Sequence, residues 1–202
     1  GSMSSQFITG LLLALPMAQE DTTVSVRGAV STPYIDMTLA TIKRFGGEVM
    51  YNEGDYTEFF IEGNQSYTAV DYTIESDWSA AAIIMVAAAI AGEVTVRNIS
   101  TLSLQADTAI CRALERAGAS IIIESDSITV AQRPLSAFSF DATHCPDLFP
   151  ALVALAAAAE GMTTIYGIER LRGKESDRGE VLTEEYRKLG IDIELDYDEN
   201  VM

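Results

Sequence analysis

The chain has 202 residues, and its 30 acidic side chains against 13 basic ones give a net charge of −17, which excludes the cationic face a nucleic-acid binder needs. Its only cysteines and histidine (Cys111, Cys145, His144) fall at no CxxC or HExxH spacing, so no metal site is expected. Apolar residues make up 48%, enough for a sizeable core, yet no apolar run is long enough for a membrane-crossing helix.

In chain order, residues 1–3 (GSM) read as an expression scar. An apolar helix is predicted over 5–17, followed by the β-like run TTVSVRGA. The amphipathic helix of YIDMTLATIKRFGG comes next, closed by glycine, and then the β-rich stretch EVMYNEGDYTEFFIEG. The same order returns with an Ala-rich helix over 77–91, EVTVRNI, ADTAICRALERAGA and SIIIESDSITVAQ. It returns again with a helix over 147–160, TTIYGI, SDRGEVLTEEYRKLGI and DIELDYDENV. Gln6, Asp77 and Asp147 mark one recurring point, and Gly47, Gly118 and Gly190 another, at a period of about 70 residues. The predicted unit is helix, strand, helix and a hairpin-like β pair, an α/β (α+β) fold.

The Ala-rich helices are apolar nearly all round, which predicts burial on most faces. The other helix class carries polar faces, such as Glu184, Glu185, Arg187 and Lys188, and belongs at the surface. Boundaries are expected near Ser76 and near 133–137. The pattern opens inside the first helix of a unit and stops within a β segment, so an excised fragment is expected. Two buried-type thiols without a pairing pattern suit a reducing cytoplasm.

The stretch LRGKESDRGE, residues 171–180, stands out in so acidic a chain. With Arg170 it gathers Arg172, Lys174 and Arg178 at a helix start. Asp177 is the expected N-cap, with Glu180 as its capping-box partner. Cations at that end cost about 0.3–1 kcal/mol unless an anion compensates. The stretch is therefore either a solvated run of local ion pairs or an anion site. Glu175, among these cations, is a candidate acid or base. Asp147 follows Pro146 at the mouth of an apolar helix, where capping is the plain reading and catalysis the alternative. Asp77 reads as a cap. Ser4, Ser5 and Gln6 open the first helix, and Ser31, Thr32 and Pro33, followed by Tyr34, open the second. All are compatible with holding a phosphate.

The segments SSQFITGLLLALP, STPYIDMTLATIKRFGGEV, HCPDLFPALVALAAAAEG and RLRGKESDR together resemble the EPSP synthase (3-phosphoshikimate 1-carboxyvinyltransferase) family. The resemblance implies βαβαββ units with buried helices, arranged as an incomplete inside-out barrel. Residues 4–75 would be the last unit of one half of the enzyme, and 76–202 two units of the other. It implies transfer of the enolpyruvyl group of phosphoenolpyruvate to the 5-hydroxyl of shikimate 3-phosphate in aromatic amino acid biosynthesis. Neither metal nor organic cofactor is implied, and no membrane or nucleic-acid partner. By motif, Ser4, Ser5, Gln6, Ser31 and Lys174 would bind shikimate 3-phosphate, with Tyr34 against its ring. Gln6 and Arg178 would reach phosphoenolpyruvate. Asp147, also at the substrate, would be the base on the 5-hydroxyl, and Glu175 with Lys174 would move the methylene proton.

Gly173 stands where the family usually has an apolar residue, and Arg170 where some relatives have Asn. The family's N-terminal lysine, its GNAGT…R region and its C-terminal arginine and lysine do not occur here. The chain alone is therefore expected to be inactive, and its uncovered apolar helix faces open it to self-association, although the parent would be a monomer. The alternatives are a UDP-N-acetylglucosamine enolpyruvyl transferase and a non-catalytic repeat module.

Overall fold

A computed structural model describes residues 4–172 and 176–202. The expectations for Gly173, Lys174 and Glu175 lie outside the described residues. The chain divides into two units, residues 1–74 with 104–106, and 75–103 with 107–202.

The first unit contains α1 (Ser5–Ala14), β1 (Thr22–Ser25), α2 (Thr32–Arg44), β2 (Met50–Tyr51) and β3 (Glu58–Ile61). Ile35, Thr38, Leu39 and Ile42 are the buried residues of α2, and their spacing puts them on one helix face. Ile35, Leu39 and Ile42 join Ile8 and Leu12 of α1, Val26 just after β1, and Phe59 and Ile61 of β3 in one core. The strands run antiparallel in the order β1-β3-β2. Burial of α1 differs from the expectation of cover on most faces. Only Ser5, Ile8 and Leu12 are buried, while Phe7 is 66% and Leu11 47% exposed. Composition reports how apolar a helix is; within this unit one face is all that α2 and the sheet cover.

The second unit contains α3 (Trp78–Ala91), β4 (Glu93–Arg97), α4 (Ile110–Ala117), β5 (Ser120–Ile123), β6 (Ser127–Ala131), β7 (Ser139–Asp141), α5 (Phe149–Ala157), β8 (Thr164–Tyr166) and α6 (Arg178–Lys188). Asp77 caps α3, its carboxylate accepting the N–H groups of Ser79 at 2.8 Å and Ala80 at 3.1 Å. α3 packs on α5 and against β4 and β6. Trp78, Met85, Phe149 and Leu152 of these two helices are fully buried. The order β4-β6-β5 again puts the last strand of the sheet in the middle, and β7 pairs with β8 in parallel across α5. The result is a mixed α/β fold whose sheets remain open.

Two further differences have local causes. The glycines that end α2, α4 and α6 in the left-handed region are Gly46, Gly118 and Gly190, with φ of 82°, 85° and 79°. Gly46, not Gly47, is thus the counterpart in the first helix; Gly47 instead gives room to Ile42 and Tyr67, each 2.8 Å from where a Cβ would stand. The third β pair, expected in 192–201, is reduced to isolated bridges of Val201 with Tyr166 and Asp196. Asp196 accepts the N–H groups of Asp198 and Glu199 at 3.0 Å, winding 196–200 into a tight turn with Asn200 at φ 58°.

Candidate functional site

In the first unit, the expected substrate residues sit at the starts of two packed helices. Ser4 is the cap of α1, its Oγ accepting the Gln6 N–H at 3.2 Å. Ser5 is buried in the first turn and Gln6 is exposed. Ser31 is the N-cap residue of α2 but makes no side-chain capping bond, and its backbone is left-handed at φ 52°, ψ 44°. A serine there stores on the order of 1 kcal/mol of strain or more, a cost typical of functional positions. Tyr34 is half-buried, its N–H bonded to the Ser31 carbonyl at 3.1 Å. Thr38 donates to the Tyr34 carbonyl and shares a hydrogen bond with Thr9 of α1, both at 2.8 Å. That bridge ties the helix carrying Ser4–Gln6 to the one carrying Ser31 and Tyr34.

In the second unit, Asp147 is not a helix cap. It lies within the 3₁₀ turn Pro146–Leu148 that leads into α5, and neither flanking cap residue makes a side-chain bond. Pro146 fixes the entry to that turn. The Asp147 carboxylate instead accepts a hydrogen bond from Arg178 Nη1 at 2.7 Å, the two side chains being 43% and 29% exposed. Arg178 is the first residue of α6, where the helix dipole repels a cation; Asp147 supplies the compensating anion. Arg170 is half-buried, and burial draws its pKa below the usual arginine value while the Asp147 charge opposes the shift. Asp147 is thus paired with Arg178, and its charge is also felt at Arg170.

The other described members of the charged stretch are tied locally. Asp177 caps α6 through the N–H groups of Gly179 at 3.1 Å and Glu180 at 3.4 Å, as the sequence implies. Arg172 stands 3.7 Å from Asp177 through Nε. Both thiols are buried and unactivated: burial pushes Cys145 up to about 12 and Cys111 up to about 11.

Sequence reading missed Asp107. It is fully buried and accepts a hydrogen bond from Ser79 Oγ in the first turn of α3. Its charge also raises the Cys145 thiol, two residues before Asp147. The signal was available: Asp107 shares the helical spacing of Ile110, Cys111 and Leu114 and so belongs on their apolar face. A cavity of about 890 Å³ in this unit is lined by Asp192, Glu194, Asp196 and Asp198 with no basic side chain, which makes it unfit for an anion. Among the described residues no helix is long and apolar enough to cross a membrane.

The family model for EPSP synthase (3-phosphoshikimate 1-carboxyvinyltransferase) matches residues 1–201. The chain belongs to the EPSP synthase family. The 3-phosphoshikimate 1-carboxyvinyltransferase of Aeromonas salmonicida is 42% identical over 200 residues, covering 98% of this chain and 46% of the relative. That of Brachyspira hyodysenteriae is 40% identical over 202 residues, covering 98% and 48%. The EPSP synthase of Acinetobacter baumannii superposes with a TM-score of 0.78 at 27% identity, over 98% of this chain and 46% of that structure. The enolpyruvyl transferase NikO of Streptomyces tendae shares the fold at TM-score 0.56 and 20% identity, over 75% of this chain and 36% of that structure. The chain thus spans about half the length of the EPSP synthases it matches.

Proposed function

We propose that this segment supplies part of the substrate site of an enzyme that moves the enolpyruvyl group of phosphoenolpyruvate to the 5-hydroxyl of shikimate 3-phosphate, with release of phosphate. Membership of the EPSP synthase family supports the reaction class. The observation that carries the site is the Asp147–Arg178 pair. In this reading the segment is built of βαβαββ units from two halves of an inside-out barrel; the strand order common to the two three-stranded sheets supports a repeated unit.

Asp147 takes the proton of the attacking 5-hydroxyl. Its carboxylate is paired with Arg178, on the guanidinium where an anionic substrate group would bind. Phosphoenolpyruvate, arriving at Arg178, replaces Asp147 as that partner and leaves the carboxylate available to the hydroxyl. Gln6 also reaches phosphoenolpyruvate. Ser4, Ser5, Ser31 and Lys174 hold shikimate 3-phosphate, and Tyr34 lies against its ring. Glu175, with Lys174, delivers a proton to the methylene carbon and later removes one. The cations hold two anionic substrates together against their mutual repulsion, which is the main electrostatic task of the site.

The test is turnover by a full-length family enzyme carrying this segment in place of its own counterpart. Phosphate release from phosphoenolpyruvate that depends on shikimate 3-phosphate is expected. Release supported by UDP-N-acetylglucosamine but not by shikimate 3-phosphate would contradict the reading. The isolated chain is expected to show no turnover in the same assay.

A further inference from the structure

The turn 196–200 has no part in the proposed chemistry, yet it touches both the stretch that carries Arg170 and the start of α6, which carries Arg178. Asn200 accepts the Gly167 N–H on its backbone carbonyl and the Glu169 N–H on its side-chain oxygen, each at 2.9 Å. These bonds fasten the turn to the 3₁₀ helix Ile168–Leu171, which holds Arg170. Asp196 stiffens the turn from within by accepting two backbone N–H groups. From this anchored base Tyr197 reaches the start of α6.

Arg172 stacks on the Tyr197 ring, its Cζ 3.4 Å from the ring centroid. The Tyr197 hydroxyl makes a long hydrogen bond, 3.4 Å, to Asp177 Oδ1, the oxygen that caps α6. A Cβ on Gly179 would stand 3.3 Å from that hydroxyl and 3.4 Å from the cap oxygen, so the bare glycine lets the first turn of α6 seat closely on the tyrosine. Arg178 sits between Asp177 and Gly179 and projects to Asp147.

We propose that Tyr197 is a positioning residue: held by the turn at Asn200 and wedged against Arg172, Asp177 and Gly179, it fixes the first turn of α6 so that Arg178 is aimed at Asp147. An arginine keeps the geometry that grips a carboxylate or phosphate only while its backbone origin is held, and displacements of about 1 Å at such sites cost large factors in rate. This deepens the proposed function and rests on it only for what Arg178 binds.

The test is NMR of the chain labelled with ¹⁵N-arginine, without ligand, reading the order of the Arg178 Nε–Hε bond against that of Arg187, which is exposed on the same helix. In the unaltered chain Arg178 is expected to be ordered and Arg187 mobile. Tyr197→Leu removes ring and hydroxyl, and should bring Arg178 to the mobility of Arg187 while circular dichroism keeps its helical signal. Tyr197→Phe keeps the stacked ring and should retain most of the order. Arg178 remaining fully ordered in Tyr197→Leu overturns the proposal. Should that variant fail to fold, Asn200→Gly decides the matter, since it preserves the left-handed backbone and removes only the side-chain anchor: partial release of Arg178 supports the proposal and unchanged order overturns it. Adding millimolar phosphoenolpyruvate separates the two readings. Absence of any Arg178 shift in the unaltered chain counts against the proposed ligand, while the ligand-free order still judges Tyr197.

Discussion

At the residue scale, Ser31 holds a left-handed backbone at φ 52° and makes no side-chain capping bond. Glycine adopts that conformation without the Cβ penalty, so Ser31→Gly is expected to raise stability by about 0.5–1 kcal/mol in denaturant unfolding. The same change should weaken shikimate 3-phosphate binding in a full-length enzyme carrying the segment; a variant that loses stability would remove the case for strain. The buried thiols give a pH dependence. Folding raises Cys145 to about 12 and Cys111 to about 11, from an ordinary 9.0. Between those values the folded chain holds more protons than the unfolded one. This contribution is therefore complete below about pH 9 and is lost as the pH rises toward 12. A stability that stays flat across pH 9–11 in both the parent and a Cys145→Ala chain would contradict that burial. For the same reason neither thiol should react with a disulfide reagent at pH 8 until the chain unfolds.

At the element scale, helix ends follow from a few residues. Asp77 accepts two N–H groups at the start of α3, so Asp77→Ala should cost about 1 kcal/mol, measured by chemical denaturation. Ile42, buried in the core that joins α1, α2 and the first sheet, should cost about 2–5 kcal/mol as Ile42→Ala. These ends and faces were legible in the sequence because they depend on residues close in the chain: a carboxylate before an apolar run, a glycine after it, an apolar face at helical spacing. At Asp147 the local pattern left capping and catalysis both open, and the structure removes the cap. The residue has the local look of a cap, and its partner Arg178 lies 31 positions away, beyond the reach of any local pattern. Asp107 likewise has a readable helical face, but only packing shows that Ser79 meets it there.

At the scale of the whole molecule, periodicity was the informative signal. It anticipated helices alternating with short strands in a mixed α/β fold. It could not say what covers each apolar face. Phe7 and Leu11 on α1, and Ile83 and Ile84 on α3, are as apolar as their buried neighbours and yet exposed. Hydropathy fixes the preference of a side chain, whereas cover depends on the elements packed against it. The alternation of Ile191, Ile193 and Leu195 with acidic residues likewise promised a strand. The turn at Asp196 and its side-chain bonds leave only single bridges there. The charged stretch resolves into two kinds of residue: Asp177 and Arg172 are structural, and Arg178 is directed at the carboxylate proposed as the base.

The most direct measurement of the central claim is phosphate release from shikimate 3-phosphate and phosphoenolpyruvate by a full-length family enzyme carrying this segment, compared with its Asp147→Asn variant. Loss of the general base predicts a rate lower by about 10²–10⁴-fold with the fold intact. A rate within a few-fold of the parent would contradict the role of Asp147.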